Sequence, residues 1–139
     1  MVRYLAVLPG IALLGLAAFL PQSSAPATPA AFSVPPDIAS QTNPIHPTPA
    51  GLARARTIYG YDCAVCHGKA GAGDGDLAST MKAKMKDYRD PTALKGMTDG
   101  ELFYIIQKGK GEMSGEGDRA KPEDVWNMVT LVRSFSKKS

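Results

Sequence analysis

With 139 residues and a formal charge of only +3, the chain has room for one domain plus flanking segments, and it lacks the strong basic bias of a dedicated nucleic-acid binder. Its 44% hydrophobic content is ordinary for a globular protein but unevenly placed. Residues 4–20 are nearly all apolar, and residues 21–50 hold eight of the eleven prolines.

The first element in chain order is an export segment. Met1-Val2-Arg3 gives a positive start, the apolar run from Tyr4 to Leu20 follows, and Ala25-Pro26-Ala27 offers a small-residue cleavage site. Two topologies stay open: a signal peptide over residues 1–27, or an uncleaved anchor and membrane tether through residues 4–20. A spanning helix needs about 20 apolar residues. This run has 17, with Pro9, Gly10 and Gly15 inside it. Either topology delivers the remainder to the periplasmic side, soluble or anchored to the cytoplasmic membrane. Residues 28–50, rich in Pro and Ala, read as a linker that cannot propagate a helix. Residues 51–139 are left as the folded domain.

That domain reads as all-α. Leu52, Ala55, Ile58 and Tyr59 fall at helical spacing and predict a helix ending near Gly60. Leu77, Met81 and Met85 predict a second over residues 76–86. A third is marked by a Thr98/Glu101 capping box, a Met97/Leu102 hydrophobic staple and a stop at Gly109. The fourth opens on Pro122 with Glu123 and Asp124 in its first turn, where the helix dipole favours negative charge. Its apolar face comprises Val125, Met128, Val129, Leu131, Val132 and Phe135.

The two cysteines of the chain lie between the first two of these helices, in Cys63-Ala64-Val65-Cys66-His67. Cys-x-x-Cys-His is the attachment signature of c-type haem. Two thiols on one helical turn can add to two vinyl groups along one porphyrin edge, and the next residue then aims its imidazole at the iron. A bare Cys-x-x-Cys in an exported chain would equally suit a structural disulfide or a thioredoxin-like dithiol. The adjacent His67 and the lack of a βαβ pattern favour haem.

From about Gly51 to Phe135 the chain resembles the class I c-type cytochromes. The matching features are a helix before the haem motif, Cys63-Ala64-Val65-Cys66-His67-Gly68, a glycine loop from Gly71 to Gly75, and a methionine loop ahead of a C-terminal helix bearing Trp126. The resemblance implies a bundle of about four helices around one covalent haem c, with Cys63 and Cys66 as thioether attachments and His67 as an axial iron ligand. It also implies a close crossing of the first and last helices, to which Gly51, Tyr59 and Trp126 are assigned.

For the second axial position, His46 sits in the proline-rich stretch, Met81, Met85 and Met128 lie on apolar stripes that suit a core, and Met97 serves the staple. Met113 stands in the polar, glycine-rich Gly109–Gly115 loop, where the family carries its ligand. Many family members place proline after that methionine; here it is Ser114. The glycines at 68, 71, 73 and 75 are expected to let backbone pass close to the porphyrin edge.

The function these features imply is a one-electron carrier rather than an enzyme. The alternative is a haem-based sensor of small ligands, or a peroxidase-like enzyme, with an open iron position. The partners would be redox proteins, including a membrane respiratory or photosynthetic complex, and no nucleic acid. Lys82, Lys84, Lys86, Lys95, Lys108 and Lys110 would form a positive rim that steers an acidic partner.

Overall fold

The C-terminal helix is where the apolar pattern is densest, and the molecule is arranged around it. The computed structural model describes residues 31–82 and 84–137. The export segment, the apolar run and the first three residues of the expected linker lie outside these. The described chain contains α1 (Pro36–Ala39), α2 (Pro49–Ile58), a π-helical turn (Tyr59–Cys63) and α3 (Ala64–His67). A 3₁₀ turn (Ala78–Thr80), α4 (Asp99–Lys108), a hairpin of β1 (Gly109–Lys110) and β2 (Met113–Ser114), α5 (Pro122–Ser134) and a closing 3₁₀ turn (Phe135–Lys137) follow. The fold is all-α, with one two-residue-per-strand hairpin.

The expected apolar face of α5 is the core. Val125 and Val129 are 0% exposed and Met128 is 1% exposed, with Leu131, Val132 and Phe135 also buried. Each such side chain contributes about 1.5–3 kcal/mol of transfer free energy. Pro122 opens α5, and Asp124 of its first turn is buried and accepts a hydrogen bond from Arg54 Nε of α2 at 2.7 Å. Gly51 of α2 faces the side chain of Asn127, so these two residues meet where α2 and α5 cross. Trp126 instead stacks on Phe103 of α4, with ring centroids 4.1 Å apart. Helix α4 starts on the expected capping box: Thr98 Oγ1 accepts from Glu101 N at 3.1 Å, and Glu101 Oε2 accepts from Thr98 N at 2.8 Å. Gly109 ends it with φ 82°.

Three expectations need correction. The first helix does not end at Gly60. It widens into the π turn, in which Ala64 N donates to Tyr59 O, and runs on through α3. A π turn inserts one residue into a helix and needs tertiary packing to hold it. Here the buried Tyr59, whose hydroxyl donates to Gly68 O at 2.9 Å, supplies that packing.

Among the described residues of 76–86 the only helical element is the 3₁₀ turn, and Met81 is extended with ψ 140°. Its apolar residues satisfy a helical period, but Met81 and Met85 serve a cavity rather than a helix face.

Lastly, residues 31–50 of the expected linker belong to the same compact unit as the rest. Ile38 and Ile45 pack against the core. Gly100 N donates to Gln41 O at 3.1 Å, and Asn43 Nδ2 donates to both Trp126 O and Thr130 Oγ1 at 3.0 Å. A Cβ on Gly100 would collide with the carbonyl of Ile38, so the absence of a side chain there admits the strap. Its prolines allow only the short α1 and the opening of α2, and the rest of this strap lies on the surface, where its carbonyls and apolar side chains find partners.

Candidate haem site

The π turn decides what the Cys-x-x-Cys-His segment can present. It keeps Tyr59 in the core, its ring 5.2 Å from that of Phe135, while Cys63, Cys66 and His67 open on a cavity of about 400 Å³. Gly75 lies directly over the carbonyls of Ala64 and Val65, and Gly71 against the ring of Phe135. These glycines therefore bring the loop against the protein's own backbone and core, where close approach to a porphyrin edge was expected.

Electrostatics separates the readings of the cysteines. They form no disulfide. Burial pushes the Cys63 thiol up to about 12, with the carboxylates of Glu116 and Asp62 adding to the rise. Reactive dithiols instead need a depressed thiol pKa. Burial pushes the His67 imidazole down, favouring the neutral ring whose lone pair can bind a metal. Its Nδ1 is buried with no hydrogen-bond partner, and its ring stacks on Tyr88, centroids 5.2 Å apart at 24°. Among the described residues no three His, Cys, Asp or Glu side chains converge as metal ligands. One neutral imidazole beside two thiols would suit an iron held mainly by a ring. The apolar cavity, the paired thiols on one turn and the neutral imidazole beside them fit a haem.

Met113 lines the same cavity, half-buried and packed against the core. It is held on β2, opposite Lys110 of β1, with Gly109 opposite Ser114. Met81 and Met85, assigned to the core from their spacing, line this cavity too, as does Met97. Met128 is in the core, and His46 is exposed on the strap, outside the cavity lining.

Sequence reasoning missed Tyr88, Glu116 and Glu112. Tyr88 sits in an irregular segment with no periodic signal. Glu116 is 4% exposed and paired with Arg119 NH2 at 2.6 Å, yet a glutamate in a polar loop carries no mark of burial. Glu112 Oε2 accepts from Lys82 N at 2.9 Å, a contact 30 residues apart in sequence.

Residues 50–132 match the family described as cytochrome c oxidase, cbb3-type, subunit III. Cytochrome c6 from Pyropia tenera is 28% identical over 89 residues, covering 64% of this chain and 98% of that protein. The c-type cytochrome KustC0563 superposes with a TM-score of 0.52 at 27% identity, covering 58% of this chain and 95% of the other. A chain of the Kuenenia stuttgartiensis reducing HAO-like protein complex Kustc0457/Kustc0458 shares the fold, with a TM-score of 0.59 at 22% identity. The match covers 66% of this chain and 46% of that one, so the present chain spans about half of its length. With the family model spanning most of the domain that holds Cys63-Ala64-Val65-Cys66-His67, the chain belongs to the cbb3-type cytochrome c family and is a class I c-type cytochrome with one covalent haem c.

Proposed function

We propose that this chain is an exported, non-catalytic one-electron carrier. Cys63 and Cys66 would hold the haem as thioethers, and His67 and Met113 would be the two protein ligands of its iron. The observation that carries this reading is that the Cys63–His67 segment and Met113, 46 positions beyond His67, open on one largely apolar cavity. When bound, the haem supplies the one-electron iron chemistry.

The chain's own residues set the conditions. Burial shifts His67 toward its neutral form, the form that can bind iron. A thioether sulfur at the second position favours reduced iron, and the apolar lining acts the same way by disfavouring the extra charge of the oxidised state. Two protein ligands leave no vacant position for a small molecule, which sets the carrier apart from a sensor or peroxidase-like enzyme.

Its partners are redox proteins. Val65 and Leu77 are 39% and 47% exposed, and Val65 lines the cavity, giving an apolar contact surface at its rim. Lys86 and Lys110 line the cavity together with Asp62 and Glu112, and Lys82, Lys84, Lys95 and Lys108 are exposed elsewhere; that surplus of exposed lysines suits an acidic partner. Among the described residues no helix is long and apolar enough to cross a membrane. Tethering therefore rests on residues 4–20. We favour cleavage after Ala27 and a soluble periplasmic carrier, and the intact mass of the holoprotein tests it: a mass retaining residues 1–27 in the membrane fraction overturns cleavage.

The ligand assignment is tested by replacing Met81, Met85, Met97 and Met113 one at a time with Ala in the holoprotein. Met113→Ala should abolish the sulfur-to-iron charge-transfer band, admit carbon monoxide and lower the potential, and the other three should keep the band. Persistence of the band in Met113→Ala, or its loss in Met81→Ala or Met85→Ala, moves the ligand elsewhere. Ready carbon monoxide binding by the unmutated protein replaces the carrier with the ligand-binding alternative.

A further inference from the structure

The hairpin that carries Met113 is too short to hold itself. Each strand has two residues, and even a longer isolated hairpin is marginal in water. Its base is fixed to α4, where Glu116 N donates to Ile106 O at 2.8 Å and Gly117 N to Gln107 O at 2.9 Å. Besides the packing of Met113 on the core, the tip, residues 110–113, has two outside grips. One is the Glu112 bond to Lys82 N. The other comes from the N-terminal strap.

Phe32 is 40% exposed, so core packing does not explain its place. Its ring lies against Tyr104 of α4, centroids 6.1 Å apart, and Lys110 Nζ sits 4.9 Å from its centroid. Phe32 therefore bridges α4 and β1 at the joint where the hairpin leaves the helix. Lys110 is the cross-strand partner of Met113. Directly paired residues project from the same face of a hairpin, and both of these line the cavity, so a restraint on Lys110 is a restraint on Met113.

We propose that Phe32 is a positioning residue for Met113, acting through Lys110, so that the N-terminal strap sets how readily the methionine leaves the iron. The proposal rests on Met113 being the ligand. An exposed cation–π contact is modest, and its loss should raise the population of the methionine-off state about two- to fivefold.

The test is the rate at which cyanide binds the ferric, full-length holoprotein, since cyanide must wait for the sulfur to leave. Phe32→Ala and Lys110→Gln should each raise the rate about two- to fivefold, and the double variant should be no faster than either single. Phe32→Tyr should restore the native rate. Ile38→Ala, which loosens the strap where it packs on the core, should lower the urea midpoint while leaving the rate unchanged. A native rate in Phe32→Ala overturns the proposal, as does multiplication of the two single effects. So does an Ile38→Ala variant accelerated as much as Phe32→Ala, because the effect would then be general loosening. Met113→Ala separates the two levels. If it binds cyanide no faster than the native protein, the ligand assignment fails and the strap's role fails with it; if it is fast and Phe32→Ala is not, only the strap's role fails.

Discussion

The two sides of the cavity are built differently. The side bearing Cys63, Cys66 and His67 is a nearly continuous helical run from Pro49 to His67, locked by Tyr59 and by the crossing with α5. The side bearing Met113 is a hairpin of two-residue strands, and the described residues of 81–98, several of which line the cavity, are irregular or in turns. Helical backbone satisfies its own hydrogen bonds, so the local geometry of the cysteine side needs few contacts from outside it. The methionine side draws its order from outside contacts: its base on α4, Met113 on the core, Glu112 on Lys82 N and Phe32 of the strap beside Lys110. A covalent bond needs to form once, whereas a coordinate bond must be held at every moment by packing. The looser side is therefore the one on which substitution can tune the iron without unfolding the protein.

The largest effect should come from emptying the cavity. Without the haem the apolar lining of the cavity is left to water and its side chains lose the surface they pack on. An ordinary domain has only about 5–15 kcal/mol of stability to lose. Cys63→Ala combined with Cys66→Ala should therefore leave a chain with little fixed helix, the methionine side losing order first. Circular dichroism of the purified double variant checks this. Native helix content without haem would mean that the helices on the cysteine side sustain the fold alone.

The same asymmetry governed what the sequence disclosed. The capping box at Thr98, Pro122 at the start of α5 and its apolar face are local features, each satisfied within one helix, and each stands where spacing placed it. Cys63 to His67 was legible as a site for the same reason. The π turn was not, because Gly60 reads as a stop and only the packing of Tyr59 carries the helix past it. Met81 and Met85 carried a false helical signal: side chains gathered round a cavity can share a helical spacing without a helix. The strap was hidden by its prolines, since its hold on α4 and α5 comes from Gln41, Asn43 and Ile38, whose partners are distant in sequence.

A smaller effect sharpens the comparison from the helical side. Met128 of α5 is 1% exposed, and Met128→Ala should cost about 2–5 kcal/mol. Because α5 supports the cysteine side, that loss should appear in the urea midpoint while the charge-transfer band stays native. If the band weakens in proportion to the lost stability, the two sides are not independent and the contrast drawn above is wrong.

The smallest effect lies at the surface of the looser side. Asp87 receives Arg89 Nε at 2.9 Å and Arg89 NH2 at 2.8 Å, just before Tyr88, whose ring stacks on His67. The hydrogen bonds from the Arg89 side chain, with a further one from its backbone, lower the Asp87 carboxyl from 3.8 to about 2. A carboxyl depressed in the folded state stabilises it fully above 3.8, and that contribution fades as the pH falls through about 2. Both partners are exposed, 42% for Asp87 and 56% for Arg89, so solvent and salt screen the pair heavily. Asp87→Asn should therefore be slightly less stable than the native protein at neutral pH, and the gap in urea midpoints should close as the pH approaches 2. High salt at neutral pH should narrow the same gap. A gap that stays constant down to that pH would assign the role of Asp87 to its fit in the turn rather than to its charge. The irregular segment beside His67 would then be held by local geometry, as the helices are, and not by exposed ion pairs.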